Sequence, residues 1–295
     1  MSQLFFDLYA ADGLCRSLSA RLNGQVGQFT RRDFPDGETY LRFETPVAGE
    51  DVILLCTLDR PNSKLASLLL AADTARQQEA KSVGLVAPYL AYMRQDKQFQ
   101  PGEAITSKTF AQLLSASVDW LVTVDPHLHR YASLDAIYSI PVVAVSAAEG
   151  LAAWIKANVE QPVLIGPDEE SLQWVSRIAE LAQASAMVLR KMRSGDYSVS
   201  IDPSGLESLG CGTPVLVDDI ASSARTLIEA AGQIRATIGK PPVCAVVHAI
   251  FASDSYSRLL QAGVQRVVST NSVSHPTNAV DISPALATGI RKIAN

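Results

Sequence analysis

An α/β architecture of two similar halves, each a mostly parallel sheet flanked by helices, is what the 295-residue sequence predicts. Three observations point to it. Short β-branched runs alternate with longer amphipathic ones. The short runs are continuously apolar, as strands buried on both faces are. The same rhythm then recurs in the second half of the chain. Hydrophobic residues make up 47% of the sequence, enough to fill a core in each half.

Taken in order, Val52–Leu55 reads as a buried strand, and a Leu- and Ala-rich helix follows from Ser63 to about Glu79. Val83–Val86 is the next strand, then come a loop, a helix near Ser107–Ala116 and the strands Trp120–Val124 and Pro141–Val145. A join near Ser146–Glu149 divides the chain into domains 1–146 and 147–279, with 280–295 a candidate to return to the first domain. In the second half Pro162–Ile165 leads into Gly166-Pro167-Asp168 and a helix over Leu172–Gln183. Pro214–Val217 leads into Asp218-Asp219 and a helix from about Thr226 to Ile238, and Val243–Ile250 and Arg266–Val268 complete the set.

Composition narrows the function. Lys and Arg number 25 against 30 Asp and Glu, a net charge of −5, so there is no basic excess to coat nucleic acid. A few local cations can still bind a small anion. No apolar run reaches the ~18–20 residues of a membrane helix, and the start Met1-Ser2-Gln3-Leu4-Phe5-Phe6-Asp7 does not read as a secretion signal. Cys15, Cys56, Cys211 and Cys244 form no CxxC pair, so reduced thiols and a cytoplasmic location are expected.

In open parallel sheets ligands bind beyond the carboxyl ends of strands. Asp125-Pro126-His127, Asp168 and Asp218-Asp219 all follow strands. One such Asp is ordinarily a helix cap; three, beside a histidine, suggest a polar crevice. After Asp218 and Asp219 come Ile220-Ala221-Ser222-Ser223-Ala224-Arg225-Thr226 and a helix. Unpaired amides and the dipole at that helix start favour an anion, and the hydroxyls add donors. Acids for sugar hydroxyls or Mg²⁺ beside a nest for phosphate point to a phosphorylated sugar. Neither GxxxxGK[ST] nor GxGxxG occurs, which disfavours a P-loop kinase or a standard dinucleotide dehydrogenase.

Several segments carry a resemblance. Phe34-Pro35-Asp36-Gly37-Glu38, Pro88-Tyr89-Leu90-Ala91-Tyr92-Met93-Arg94-Gln95-Asp96-Lys97, Phe99–Thr106, Asp125-Pro126-His127 and Asp218-Asp219-Ile220 resemble, in order, motifs of the ribose-phosphate diphosphokinase (phosphoribosyl pyrophosphate synthetase) family, archaeal-type branch. The resemblance implies two phosphoribosyltransferase-type domains. It implies transfer of diphosphate from MgATP to the C1 hydroxyl of ribose 5-phosphate, with AMP released. Phe34, Asp36, Gly37 and Glu38 would hold adenine from across a subunit interface, which implies at least a dimer. Arg94, Gln95, Asp96 and His127 would contact the nucleotide, His127 and Asp125 the Mg²⁺, and Asp168 the Mg²⁺ or the sugar. Asp218, Asp219, Ser222, Ser223, Ala224, Arg225 and Thr226 would hold the sugar phosphate. Lys191 and Arg193 would neutralise the transferred group from the root of a closing loop, with Ser194-Gly195-Asp196 as hinge. His129 is left unassigned, as a solvent-facing residue pointing away from His127.

Two departures lie on the acceptor side. Ala224 and Arg225 stand where the family mostly has glycine, and Asp168-Glu169-Glu170-Ser171 replaces D-x-G-[GA]. They leave open a different sugar-phosphate acceptor, or a weak or silent regulatory paralogue. A one-domain phosphoribosyltransferase is disfavoured by the doubled rhythm and by Arg94-Gln95.

Overall fold

The structure is a computed structural model that describes residues 3–194, 198–202 and 212–293; the side chains of Glu170, Gln173 and residues 190–202 lie outside the description. The chain falls into two compact units. Residues up to Ser146 join those from Ile282 onward, and Ala147–Asp281 form the other.

The first unit contains β1 (Gln3–Tyr9), α1 (Leu14–Arg21), β2 (Gln25–Val26), β3 (Phe29–Asp33), β4 (Thr39–Phe43), β5 (Asp51–Cys56), α2 (Leu65–Gln77), β6 (Ser82–Ala87), α3 (Thr106–Ser117), β7 (Trp120–Val124) and β8 (Val142–Val145). Its sheet has the order β2-β1-β5-β6-β7-β8, and every pairing in it is parallel. Val52–Leu55, Val83, Leu85, Val86, Leu121 and Val122 are fully buried, which is why these strands read as unbroken apolar runs. β3 and β4 form a separate antiparallel hairpin. Its base is fixed to the core by rings: Phe6 meets Phe43 edge-on at 4.7 Å and Phe29 at 6.2 Å.

The second unit contains α4 (Ala148–Asn158), β9 (Pro162–Gly166), α5 (Leu172–Ala182), β10 (Ser185–Val188), β11 (Arg190–Ser194), β12 (Ser198–Asp202), β13 (Thr213–Ala221), α6 (Arg225–Ile238), β14 (Val243–Ala249), α7 (Ser255–Gln261), β15 (Arg266–Thr270) and β16 (Asn278–Val280). Its sheet, β10-β9-β13-β14-β15-β16, is again wholly parallel. β11 and β12 pair antiparallel outside it. The last helix, α8 (Ser283–Ile293), packs on α1 and β8 of the first unit. There Arg21 Nε donates to Ser283 Oγ at 2.8 Å and Arg291 Nη2 to the Arg21 carbonyl at 2.7 Å.

One sequence reading needs adjustment. The strand read as Pro214–Val217 runs four residues further, to Ala221, so Asp218 and Asp219 sit on the strand itself. The join near Ser146–Glu149 is also the start of α4, whose face of Ala148, Leu151, Ala152 and Ile155 is buried. Among the described residues no helix is long and apolar enough to cross a membrane. Cys15, Cys56 and Cys244 are buried and unbridged, and Cys211 lies outside the described residues.

Candidate active site

In the first unit the sequence-predicted residues occupy three loops. The Phe34–Glu38 loop caps the β3–β4 hairpin. The Phe34 amide donates to the Glu38 carbonyl at 2.7 Å, and the Gly37 amide to the Phe34 carbonyl at 2.9 Å. The Glu38 amide donates to Asp36 Oδ1 at 3.1 Å. Gly37 has φ 91°, a left-handed value that a side chain would resist. A ring in this turn could serve as a buried anchor; instead Phe34 is 37% exposed. The Arg32 guanidinium lies 4.5 Å from its centroid and 4.8 Å from that of Tyr40, so the loop presents an aromatic ring backed by a cation.

The second loop follows β6. Arg94 is exposed and Gln95 half-buried. Asp96 differs from its sequence reading: its side chain is only 2% exposed and is ion-paired to Arg130, with Oδ1 2.7 Å from Nη1. A buried carboxylate held this way supports the loop from within. The third loop follows β7. Asp125 has φ 34°, an uncommon value that a short polar side chain tolerates best, and its amide donates to the Val145 carbonyl at 2.9 Å. His129 is exposed, as read from sequence, but its ring lies against that of His127, with centroids 3.9 Å apart and a 32° interplanar angle. Alternation of side chains is a property of strands, and this segment is a loop.

In the second unit Asp218 and Asp219 lie on β13, just before its end at Ala221. The Asp219 amide donates to Asp218 Oδ1 at 3.0 Å. Asp218 keeps some accessible surface, but its carboxyl group lies deep. Desolvation, then the charges of Asp219 and Asp168, push that carboxyl well above the usual carboxylate range. Asp168 follows β9, and its carbonyl accepts from Ser171 Oγ at 2.6 Å. Glu169–Ser171 form a single 3-10 turn. Gly166 packs closely beneath it: a Cβ there would come within 2.2 Å of Ser171 Oγ and displace that hydroxyl.

The Ser222–Thr226 loop opens onto α6. Ala224 is buried with φ 54° and ψ 15°, so an alanine holds the left-handed step for which glycine is best suited. Arg225 begins the helix and is exposed. The loop is pinned from behind. The Ala221 carbonyl accepts from the Ile250 and Phe251 amides at 3.0 and 2.8 Å, and the Ser222 carbonyl from the Ala252 amide at 3.0 Å and Ser255 Oγ at 2.8 Å. Lys191 and Arg193 sit in β11, opposite Ile201 and Val199 of β12; their side chains, and residues Gly195 and Asp196, lie outside the described residues.

Residues 4–117 match the family model for the N-terminal domain of ribose phosphate pyrophosphokinase, and residues 133–283 that for the phosphoribosyl transferase domain. The ribose-phosphate pyrophosphokinase of Methanopyrus kandleri is 31% identical over 283 residues, 95% of this chain and 96% of that one. The chain belongs to the ribose-phosphate pyrophosphokinase family. The Saccharolobus solfataricus pyrophosphokinase is also 31% identical, covering 94% of this chain and 97% of that one. The crystal structure of phosphoribosylpyrophosphate synthetase from Mycobacterium smegmatis superposes with a TM-score of 0.85, at 26% identity, over 100% of this chain and 99% of that chain.

Within the pyrophosphokinase frame, no cluster of three or more His, Cys, Asp or Glu poised for a metal occurs among the described residues. Magnesium does not require one, since it keeps several waters and binds through one or two carboxylates plus substrate phosphates. Asp125, beside His127, and Asp168, beside Asp218, fit that mode. Sequence reasoning missed Arg130, Tyr131 and Arg32 as parts of the pyrophosphokinase loops. Their partners, 34 and 35 residues away for Arg130 and Tyr131, left no local signal.

Proposed function

We propose that this chain is a ribose-phosphate pyrophosphokinase that transfers diphosphate from ATP to ribose 5-phosphate, giving phosphoribosyl pyrophosphate and AMP. One observation carries the acceptor half. A strand that carries Asp218 and Asp219 near its end, with the Asp218 carboxyl deep, runs into a loop whose Ala224 holds a left-handed step at the N terminus of a 14-residue helix. Amides and dipole there suit the 5-phosphate, and Asp218 and Asp219 suit the ribose diol.

The first unit supplies the nucleotide half. Phe34 offers a face for adenine, and Asp36 and Glu38 accept from its amino group. Arg94 has the planar fork that suits phosphate oxygens. The hairpin reaches the nucleotide of a neighbouring copy, so the working form is at least a dimer. Asp125, His127 and Asp168 would hold Mg²⁺, which supplies charge neutralisation on the phosphates. In the reaction the C1 hydroxyl gives its proton to solvent as its oxygen bonds to the β-phosphorus, while the bond from that phosphorus to the oxygen bridging to the α-phosphorus breaks, and AMP departs with that oxygen. Lys191 and Arg193 neutralise the oxygens of the group in flight. The residues bind and orient; no covalent enzyme intermediate is required. The reaction belongs in the cytoplasm, where ATP and sugar phosphates are at hand.

The test is AMP release from ATP with Mg²⁺ and a panel of pentose phosphates. AMP formed only with an acceptor, with ribose 5-phosphate preferred, supports the assignment. Exposed Arg225 beside the loop favours a second reading, a different phosphorylated acceptor, and preference for another sugar in the same panel selects it. Absence of AMP with every acceptor leaves only a silent regulatory paralogue.

A further inference from the structure

Two loops leave the carboxyl ends of β6 and β7, which are adjacent parallel strands, and one side chain ties them together. Arg130 Nη1 donates to Asp96 Oδ1 at 2.7 Å. The Asp96 carboxylate is 2% exposed, whereas Arg130 is 44% exposed. The Arg130 guanidinium carbon also lies 5.6 Å from the Phe99 centroid, and Lys97 Nζ lies 5.1 Å from it. The next residue repeats the tie: Tyr131 OH donates to the Asp96 carbonyl at 3.2 Å, and its oxygen lies 2.9 Å from Ser107 Oγ on α3. The Phe99 turn is closed from within, with Glu103 Oε2 accepting from the Phe99 and Gln100 amides at 2.8 and 3.0 Å. A buried carboxylate that loses its partner carries a large desolvation penalty, so this ion pair restrains both loops strongly.

We infer that Arg130 is a positioning residue for nucleotide binding: through Asp96 it clamps the segment carrying Arg94 and Gln95 to the loop carrying His127. This rests on the nucleotide reading of those loops given above. Groups that support a binding residue from behind set its distance and angle, and their loss weakens binding without removing any contact to the ligand.

The experiment compares wild type, Arg130→Met, Arg130→Lys, Asp96→Asn and the Asp96→Asn/Arg130→Met double variant. The readouts are MgATP binding by calorimetry, the two KM values and melting temperature. Arg130→Met is expected to weaken MgATP binding and raise the ATP KM roughly 10–100-fold, the range seen for lost supporting partners, with the ribose 5-phosphate KM unchanged. Arg130→Lys recovers part of the loss, because it keeps the charge without the fork. The double variant is no worse than Arg130→Met, because both substitutions break one interaction.

Unchanged MgATP binding in a folded Arg130→Met overturns the inference. So do losses that multiply in the double variant, which would make Arg130 a direct ligand, and so does a parallel rise in both KM values, which marks a general structural defect. If wild type binds MgATP but releases no AMP, the assigned reaction fails while the binding comparison still decides the role of Arg130. If wild type turns over and Arg130→Met binds MgATP normally, only the positioning role fails. A wild type that does not bind MgATP overturns both.

Discussion

Asp218→Asn changes one oxygen to an amide and removes the charge that the acid cluster disfavours. Burial is the largest cause of the raised Asp218 pKa, and the neighbouring charges of Asp219 and Asp168 add to it. The hydrogen bond from the Asp219 amide at 3.0 Å opposes them only in part. In the folded chain the carboxyl therefore keeps its proton at pH values where the unfolded chain has lost it. Between those two pKa values the native state binds more protons, so stability falls as pH rises. Each unit of separation withdraws about 1.4 kcal/mol once the group is ionised. For a domain of this size that is roughly 3–6 °C in Tm. Melting of the ligand-free protein from about pH 4 to about pH 8 should show wild type losing stability as Asp218 ionises. Asp218→Asn should lack that loss: it should melt higher than wild type at the upper end and converge with it at the lower. The same variant should bind ribose 5-phosphate more weakly. Parallel melting curves, or a variant less stable than wild type at every pH, would refute the account of this cluster.

Phe34→Ala should raise the KM for ATP by an amount matching about 1–3 kcal/mol of base stacking, roughly 5–150-fold, with little change in Tm because the ring is 37% exposed; a normal ATP KM would remove the loop from the nucleotide site. Lys191→Ala should keep MgATP binding but lower turnover about 10²–10³-fold, the scale for losing one donor to developing charge; wild-type turnover would remove Lys191 from the mechanism. Burial pushes the thiols of Cys15 and Cys56 up to about 12 and raises that of Cys244 as well. Because the thiolate is the reactive form, iodoacetamide near neutral pH should leave all three unlabelled in the native protein and reach them in denaturant. Rapid native labelling of Cys56 would contradict its burial.

Much of the architecture was legible because a strand buried on both faces must be apolar throughout. Trp120–Val124 has the bounds read from sequence, and helix α3 extends its reading by one residue at each end. The elements left unread carry weaker patterns. Strand β1 was met only as a chain start, β3 and β4 are half-exposed, and α8 is built from small residues with Gly289 inside it. Within the site, motif order in the chain was enough to mark the loops. It did not show which way their side chains turn. Asp96 reads like its neighbours Arg94 and Gln95, yet it is the one drawn inward, because Arg130 waits there to neutralise it.

The amino-acid order by itself determined the two-fold α/β plan, the strand ends that bear acids and the family motifs, since periodicity and composition are local properties. Tertiary structure alone decided that Asp96 is a strut, that His129 stacks on His127, that Ala224 holds a left-handed backbone and that Asp218 resists ionisation. Each of these depends on a group brought close by the fold, and the energy of a charge, a ring or a strained dihedral is set by what surrounds it in space.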